Sequence, residues 1–349
     1  MTAAQTRGER LALAFLGLHP DRKRKLLDRF GTPGDLMAAV RRGRVEGIGS
    51  EAAIPAEQCR EAIGACGCRV MMLGDPDYPG ALAGIEDPPD VLFVVGSVPL
   101  EVGVGVVGTR RSTRYGTRIA TAYGEAIARA GWPLVSGLAR GVDAAAHLGT
   151  VAGNGIGVAV LGSGPDITYP REHRPLRDRL VEMGGAAITE YPPGTPPHGW
   201  RFPPRNRIIS GLSAAVVVVE AAVTGGALVT AARGLEQGRV VFAVPGDIDR
   251  EASAGCNRLI RDGAVPVFEA ADLMEALSLV MGPPRSPPEP VPTPDGESPE
   301  SDLVLSEGTT VEALGRRLGV AGSALVALIG RLEAHGAIRR DGEWLLPGH

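Results

Sequence analysis

VGVGVVGTRRSTRYG, residues 102–116, spells a literal G-x-G-x-x-G at Gly103, Gly105 and Gly108. A dinucleotide-binding turn needs such glycines after a strand and before a helix, with an acid about 20 residues further on for the ribose. Here Gly103 and Gly105 alternate with Val102, Val104, Val106 and Val107 and so fall inside an apolar strand. Only Gly108 reaches its end. The next apolar strand, Pro133 to Val135, runs into Ser136-Gly137 with no carboxylate. The register and the missing acid both argue against a dinucleotide. The first strand leads instead into Thr109-Arg110-Arg111-Ser112-Thr113-Arg114, ahead of a helical pattern that begins near Tyr115. A turn of small residues before a helix leaves backbone N–H groups free for anions. The arginines add charge-assisted hydrogen bonds suited to phosphate.

The same alternation continues outward. Apolar strands are expected at 104–107, 133–135, 157–161, 186–188, 215–219 and 240–244. Helices are expected between them at 119–130, 143–152, 175–183 and 227–237. A run such as Ala215-Val-Val-Val-Val219 suits a strand buried on both faces. The spacing predicts a doubly wound parallel α/β sheet over residues 69–281. Ahead of it, residues 1–68 read as a small helical module, with Thr32-Pro33 as a helix cap. Residues 282–301 are proline-rich and polar and read as a semi-stiff linker. Residues 302–349 suggest a winged helix: short helices at 311–318 and 323–334, then a hairpin about Asp341-Gly342.

A chain of 349 residues, 44% hydrophobic, can form two or three domains with a sizeable core. No apolar run approaches membrane-spanning length, and MTAAQTRGER lacks an apolar signal core, so a cytoplasmic protein is expected. Cys59, Cys66, Cys68 and Cys256 show no C-x-x-C pairing and the six histidines lack ligand spacing; no metal or cofactor is expected. The net charge of −4 is dominated by residues 282–309, with six acids against one base, and the remainder is near neutral. A local basic groove is therefore compatible with phosphate binding.

In doubly wound sheets, ligands sit beyond the carboxyl ends of the strands. The candidates collect there: Gly108, Thr109, Arg110 and Arg114; Gly137 and Arg140; Gly164 and, after Tyr169-Pro170, Arg171; Arg201, Phe202, Arg205, Asn206 and Arg207; and Gly225 and Gly226. Arg205 and Arg207 fall in a first helical turn, where the dipole favours acids. Either a bound anion or ion pairs with Glu190 or Glu220 would relieve that conflict. Arg110 and Arg140 carry the same two readings. Tyr169, Tyr191, Trp200 and Phe202 fit base stacking or core packing. Asp143 and His147, four apart on one helix, lack a nucleophile or third partner, so helix capping by Asp143 is expected rather than catalysis.

VVGTRRSTRYG, SGLARGVDAAAH, VLGSGPDITYP, TEYPPGTPPHGWRFPPRNRIISGLS, VVVEAAVTGGALVTAARGLEQGR and VFAVPGDIDREASAGCNRLIRDGA run in order through residues 104–264. Together they resemble the DNA-processing protein A (DprA, or Smf) family. The resemblance implies a Rossmann-like core that binds single-stranded DNA, protects it and loads a RecA-type recombinase during natural transformation. It also implies a homodimer, a single-strand-binding protein as a further partner, an N-terminal SAM- or HhH-like module and a C-terminal winged helix in some members; the absent nucleophile and metal set lead to the expectation of no catalysis. Carried over, the family's G-S/T-R arginine is Arg110, the basic residue after its Y-P pair is Arg171, and its R-N-R triplet is Arg205, Asn206 and Arg207, preceded by Phe202. Thr224-Gly225-Gly226 stands where the family often has S-G-S. Self-association is expected near Leu259 and Ile260, which alternate badly with Arg258 and Arg261: one faces outward into a two-fold interface, or both pack on the sheet. Two rivals are a phosphoribohydrolase-like nucleotide enzyme and a winged-helix regulator. AAVTGGALVTAARGLE lacks the proline and spacing of the first, and Ala321–Leu328 offers only Ser323 as a base reader for the second.

Overall fold

Among the described residues, nine strands form one sheet: β1 (Arg69–Met72), β2 (Val91–Gly96), β3 (Gly103–Val107), β4 (Leu134–Ser136), β5 (Gly157–Val160), β6 (Ala186–Thr189), β7 (Ser213–Val218), β8 (Val240–Ala243) and β9 (Val265–Pro266). They lie in the order β1-β2-β6-β5-β4-β3-β7-β8-β9. Every pairing from β6 to β9 is parallel. β1 and β2 add an antiparallel edge. This computed structural model describes residues 3–285, 309–311, 329–330, 338–341 and 344–347.

Twelve helices accompany the strands among the described residues: α1 (Ala3–Phe15), α2 (Pro20–Phe30), α3 (Pro33–Arg41), α4 (Ala56–Cys66), α5 (Gly80–Ala83), α6 (Arg114–Arg129), α7 (Val142–Ala152), α8 (Arg174–Glu182), α9 (Phe202–Gly211), α10 (Gly226–Glu236), α11 (Glu251–Arg261) and α12 (Ala270–Met281). Because side chains alternate along a strand, each valine run serves two layers. Val104, Val106, Ala215 and Val217 point into one core with Tyr123, Ile127 and Trp132. Val107, Val216 and Val218 point into the other with Ile188, Ile208 and Ile209. The strands foreseen from 104 to 244 all form. β1 and β2 lie outside the strands expected from the sequence, although Val91-Leu-Phe-Val-Val95 is itself an apolar run; their antiparallel pairing, Met71 with Leu92 and Phe93 with Thr189, closes that edge.

The three glycines of the opening motif serve packing. A Cβ on Gly103 would meet the Pro133 carbonyl oxygen at 2.6 Å, and one on Gly105 would meet the Ser213 hydroxyl at 2.9 Å. At Gly108 it would run into Val142 at 2.5 Å, where α7 packs on the turn.

Residues 1–290 form one compact unit and 291–349 another. Within the first, the helical module shares a core with the sheet edge: Leu11 and Cys59 pack with Met72, Val91 and Phe93. Arg10 binds the Asp90 carboxylate at 2.6 and 3.0 Å. Thr32 caps α3 in a reciprocal capping box with Asp35. In the second unit, β10 (Thr309–Thr310), β11 (Ile338–Asp341) and β12 (Trp344–Pro347) form a three-stranded antiparallel sheet in the order β10-β12-β11. Asp341 pairs opposite Trp344, so the expected hairpin forms with two residues between its strands. The linker from residue 286 onward and nearly all of the helices expected at 311–318 and 323–334 lie outside the described residues.

Candidate nucleic-acid interface

From β3 the chain steps to β4, β5 and β6 on one side, then returns across the sheet to β7 on the other. The order therefore reverses between β3 and β7, and a crevice opens beyond their carboxyl ends. It is a groove of about 460 Å³, lined by Gly108, Thr109 and Arg110 after β3, Ala139 and Asp143 after β4, Tyr169, the first turn of α9 from Phe202 to Asn206, and Ala221 to Ala227 after β7. A smaller depression of about 140 Å³ shares Arg110, Ala139, Tyr169 and Phe202 and adds Gly137, Arg140 and Pro170.

The helix start where a dinucleotide's pyrophosphate would sit is already filled. Glu220, 4% exposed, accepts the Thr113 N–H and the Thr113 hydroxyl, both at 2.8 Å, at the N-terminus of α6. The helix dipole thus has its anion from within the chain. A Cβ on Gly116 would collide with that carboxylate, which explains the glycine. The α10 N-terminus is different. Its N-cap is Gly225, with no side-chain cap, and Gly225 and Gly226 both line the groove.

Arg110 is exposed, and no carboxylate pairs with it among the described residues. Its guanidinium lies 4.8 Å from the centre of the Phe202 ring. Arg205 approaches the same ring at 5.7 Å but is 3% exposed. It donates to the Gly137 carbonyl at 2.9 Å and to the Val160 carbonyl. Burial lowers its pKa to about 10, against the pull of Asp143. Arg205 is thus a strut under the groove, and the half-buried Phe202 carries its floor. Asn206 lines the groove and donates to the Gly226 carbonyl at 3.2 Å, tying α9 to α10.

Arg207 does not reach the groove. It is 6% exposed and pairs with Glu190 at 2.9 Å and Asp87 at 3.1 Å. Of its two sequence readings the ion pair holds, because 3.6 residues per turn aims positions 205 and 207 in different directions. Arg140 is likewise committed, at 2.7 Å from Nε to Glu172, although this pair is exposed. Arg201, 9% exposed, donates to the Pro196 carbonyl and lies against Tyr191 and Trp200, bracing the 190–200 loop rather than the groove. Gly164, in the segment after β5, is buried against that loop, and its N–H donates to the Thr195 carbonyl. Arg114 and Arg171 are exposed and, among the described residues, without an ion pair.

Asp143 does not cap α7, whose N-cap is Gly141. Its carboxylate instead accepts the Gly137 N–H at 3.1 Å and the Ala139 N–H at 3.4 Å, stapling the loop after β4. Burial raises its pKa. His147 is fully buried, and burial lowers its pKa to about 3. Leu259 and Ile260 are both partly buried and both pack against the core. Among the described residues no group of three His, Cys, Asp or Glu could hold a metal ion, and no helix is long and apolar enough to cross a membrane. Sequence reasoning missed Thr230, Val229 and Pro197 as groove lining; small and apolar residues carry no chemical signal of their own.

Residues 69–278 match the family model of DNA recombination-mediator protein A. The chain belongs to that family. It is 44% identical over 202 residues to Protein Smf of Escherichia coli, a match covering 57% of this chain and 54% of that protein, so it spans about half of that relative's length. The X-ray structure of DprA from Streptococcus pneumoniae superposes with a TM-score of 0.63 at 30% identity, covering 76% of this chain and 95% of that one. The Helicobacter pylori DprA structure, described by its single-stranded DNA binding mode, shares the fold at a TM-score of 0.54 and 24% identity, covering 61% and 97%.

Proposed function

We propose that this chain binds single-stranded DNA in the groove beyond β3 and β7 and acts, without catalysis, as a mediator that protects the strand and loads a RecA-type recombinase onto it in the cytoplasm during transformation. One observation carries the reading: Arg110, exposed and without a carboxylate partner among the described residues, stands 4.8 Å over the Phe202 ring beside the uncapped start of α10. A cation, a ring and free helix N–H groups in one groove match a chain of phosphates joined to unstacked bases. Arg110, Phe202, Asn206 and the Gly225-Gly226 turn contact the strand, with Thr109, Arg114 and Arg171 beside it. Gly108, Gly137 and Arg205 hold the groove open. Absence of catalysis is supported by the two groups that resembled an acid–base pair: Asp143 is engaged by backbone N–H groups and His147 is sealed in the core. A homodimer and contacts with a single-strand-binding protein complete the proposal.

The deciding experiment titrates salt against binding of single- and double-stranded oligonucleotides. Tight, sequence-independent binding of single strands that weakens linearly in log salt is expected. Equal or stronger binding to duplex would overturn the reading.

A further inference from the structure

We propose that the N-terminal helical part carries a second length of the nucleic-acid path: the face made by the first turns of α2 and the loop leaving α3 binds phosphates of a strand that runs out of the groove past Trp200. The proposal rests on the groove reading above and extends it to a surface that reading does not use.

Charge is the first observation. Residues 19–44 hold eight arginines and lysines against three acids, within a chain whose net charge is −4. Both lysines of the protein, Lys23 and Lys25, are among the eight. Arg24 pairs with Asp21 and Arg41 with Glu9. Lys23, Lys25, Arg42 and Arg44 have no carboxylate partner among the described residues, and all but the half-buried Lys23 are exposed. Arg22 and Lys23 also sit in the first turns of α2, where the helix dipole disfavours cations. Unpaired like charges placed against a dipole are a local cost, and a polyanion removes it.

Position is the second observation. Arg22 donates to the Glu46 carbonyl at 2.8 Å, so the loop with Arg42 and Arg44 lies beside the first turn of α2. His19, the N-cap of α2, stacks at 5.6 Å on Trp200, which is 41% exposed and two residues before Phe202. Lys23 stands one turn after His19 on α2. The basic face therefore begins where the groove ends, with an aromatic ring at the junction. An acidic protein surface is the rival occupant. Continuity with the groove favours the strand.

The test compares K23E/R42E/R44E, R110A and the unaltered full chain on oligothymidylates of about 6 and about 20 nucleotides, lengths chosen to fill the groove alone or to run beyond it. Anisotropy is followed across a salt series. The triple variant is expected to bind the short strand normally, to lose about tenfold on the long one, and to show a salt slope lower by about two. R110A should weaken both lengths alike. A folded triple variant that binds both lengths normally overturns the proposal and leaves an acidic partner as the occupant, and equal loss on both lengths also overturns it. If R110A binds the short strand normally, it is the groove reading that fails. Should the triple variant not fold, K23A/R42A/R44A decides by the same length dependence, with a loss of about threefold on the long strand.

Discussion

Arg110 and Arg207 both follow strand ends of one sheet, and their neighbours give them opposite work. Arg110 has a ring beneath it and solvent above, so Arg110→Ala should leave the melting temperature nearly unchanged. Single-strand affinity at low salt should fall by about tenfold, across all sequences and with a shallower salt slope. Arg207 sits between two carboxylates, one of them 6% exposed. Arg207→Ala leaves Glu190 buried and unpaired and should cost about 3–5 kcal/mol of stability, read as a drop in the urea midpoint. His147 gives a pH dependence. Its neutral form is held by burial down to about pH 3, whereas the unfolded chain takes up the proton near 6.5. Stability is thus fully present above 6.5 and falls as pH drops from there toward 3, by about 2 kcal/mol between pH 7 and pH 5. Urea titrations at the two pH values check this, and His147→Gln should flatten the difference. An unchanged difference in that variant would assign the pH dependence to other groups.

At the scale of elements, the groove depends on close approaches that only glycine permits. Gly141 has φ of +78°, and a Cβ there would collide with the Thr109 carbonyl. Gly141→Ala should cost roughly 1–3 kcal/mol through strain. Because the 109–110 turn must shift, DNA affinity should fall with stability, measured by thermal melting and anisotropy on one preparation. Phe202→Ala separates the two effects. It removes a half-buried ring on the first turn of α9, and the loss should appear mainly in binding, at roughly 1–3 kcal/mol, if a base stacks there. Normal binding by a folded Phe202→Ala protein would leave the ring a packing role alone.

For the whole molecule, self-association needs a surface, and one candidate is the part of α11 around Leu259 and Ile260. Ile260 packs on the main core, so Ile260→Glu should lower the melting temperature rather than yield a clean monomer. Light scattering beside a thermal melt distinguishes the two. A stable monomer would return Ile260 to the two-fold interface.

The strand–helix alternation, the strand positions from β3 to β8 and the cluster of candidates at strand ends were legible along the chain, because hydrophobic periodicity and turn residues act locally. The failure of G-x-G-x-x-G was legible too, since Gly103 and Gly105 sit within a valine run. What the sequence alone determined is therefore the doubly wound sheet and the edge at which its chemistry gathers. The tertiary structure alone decided which arginines are free. Arg110, Arg205 and Arg207 look alike in sequence, but pairing with Glu190 and Asp87 or burial against carbonyls consumes two of them, while Arg140 keeps an exposed pair with Glu172. Those partners come from segments 17 to 120 residues away. Glu220, 107 residues from Thr113, likewise closes the α6 N-terminus and leaves that of α10 open. Charge compensation is set by distance in space, and distance in space is what a linear pattern does not contain.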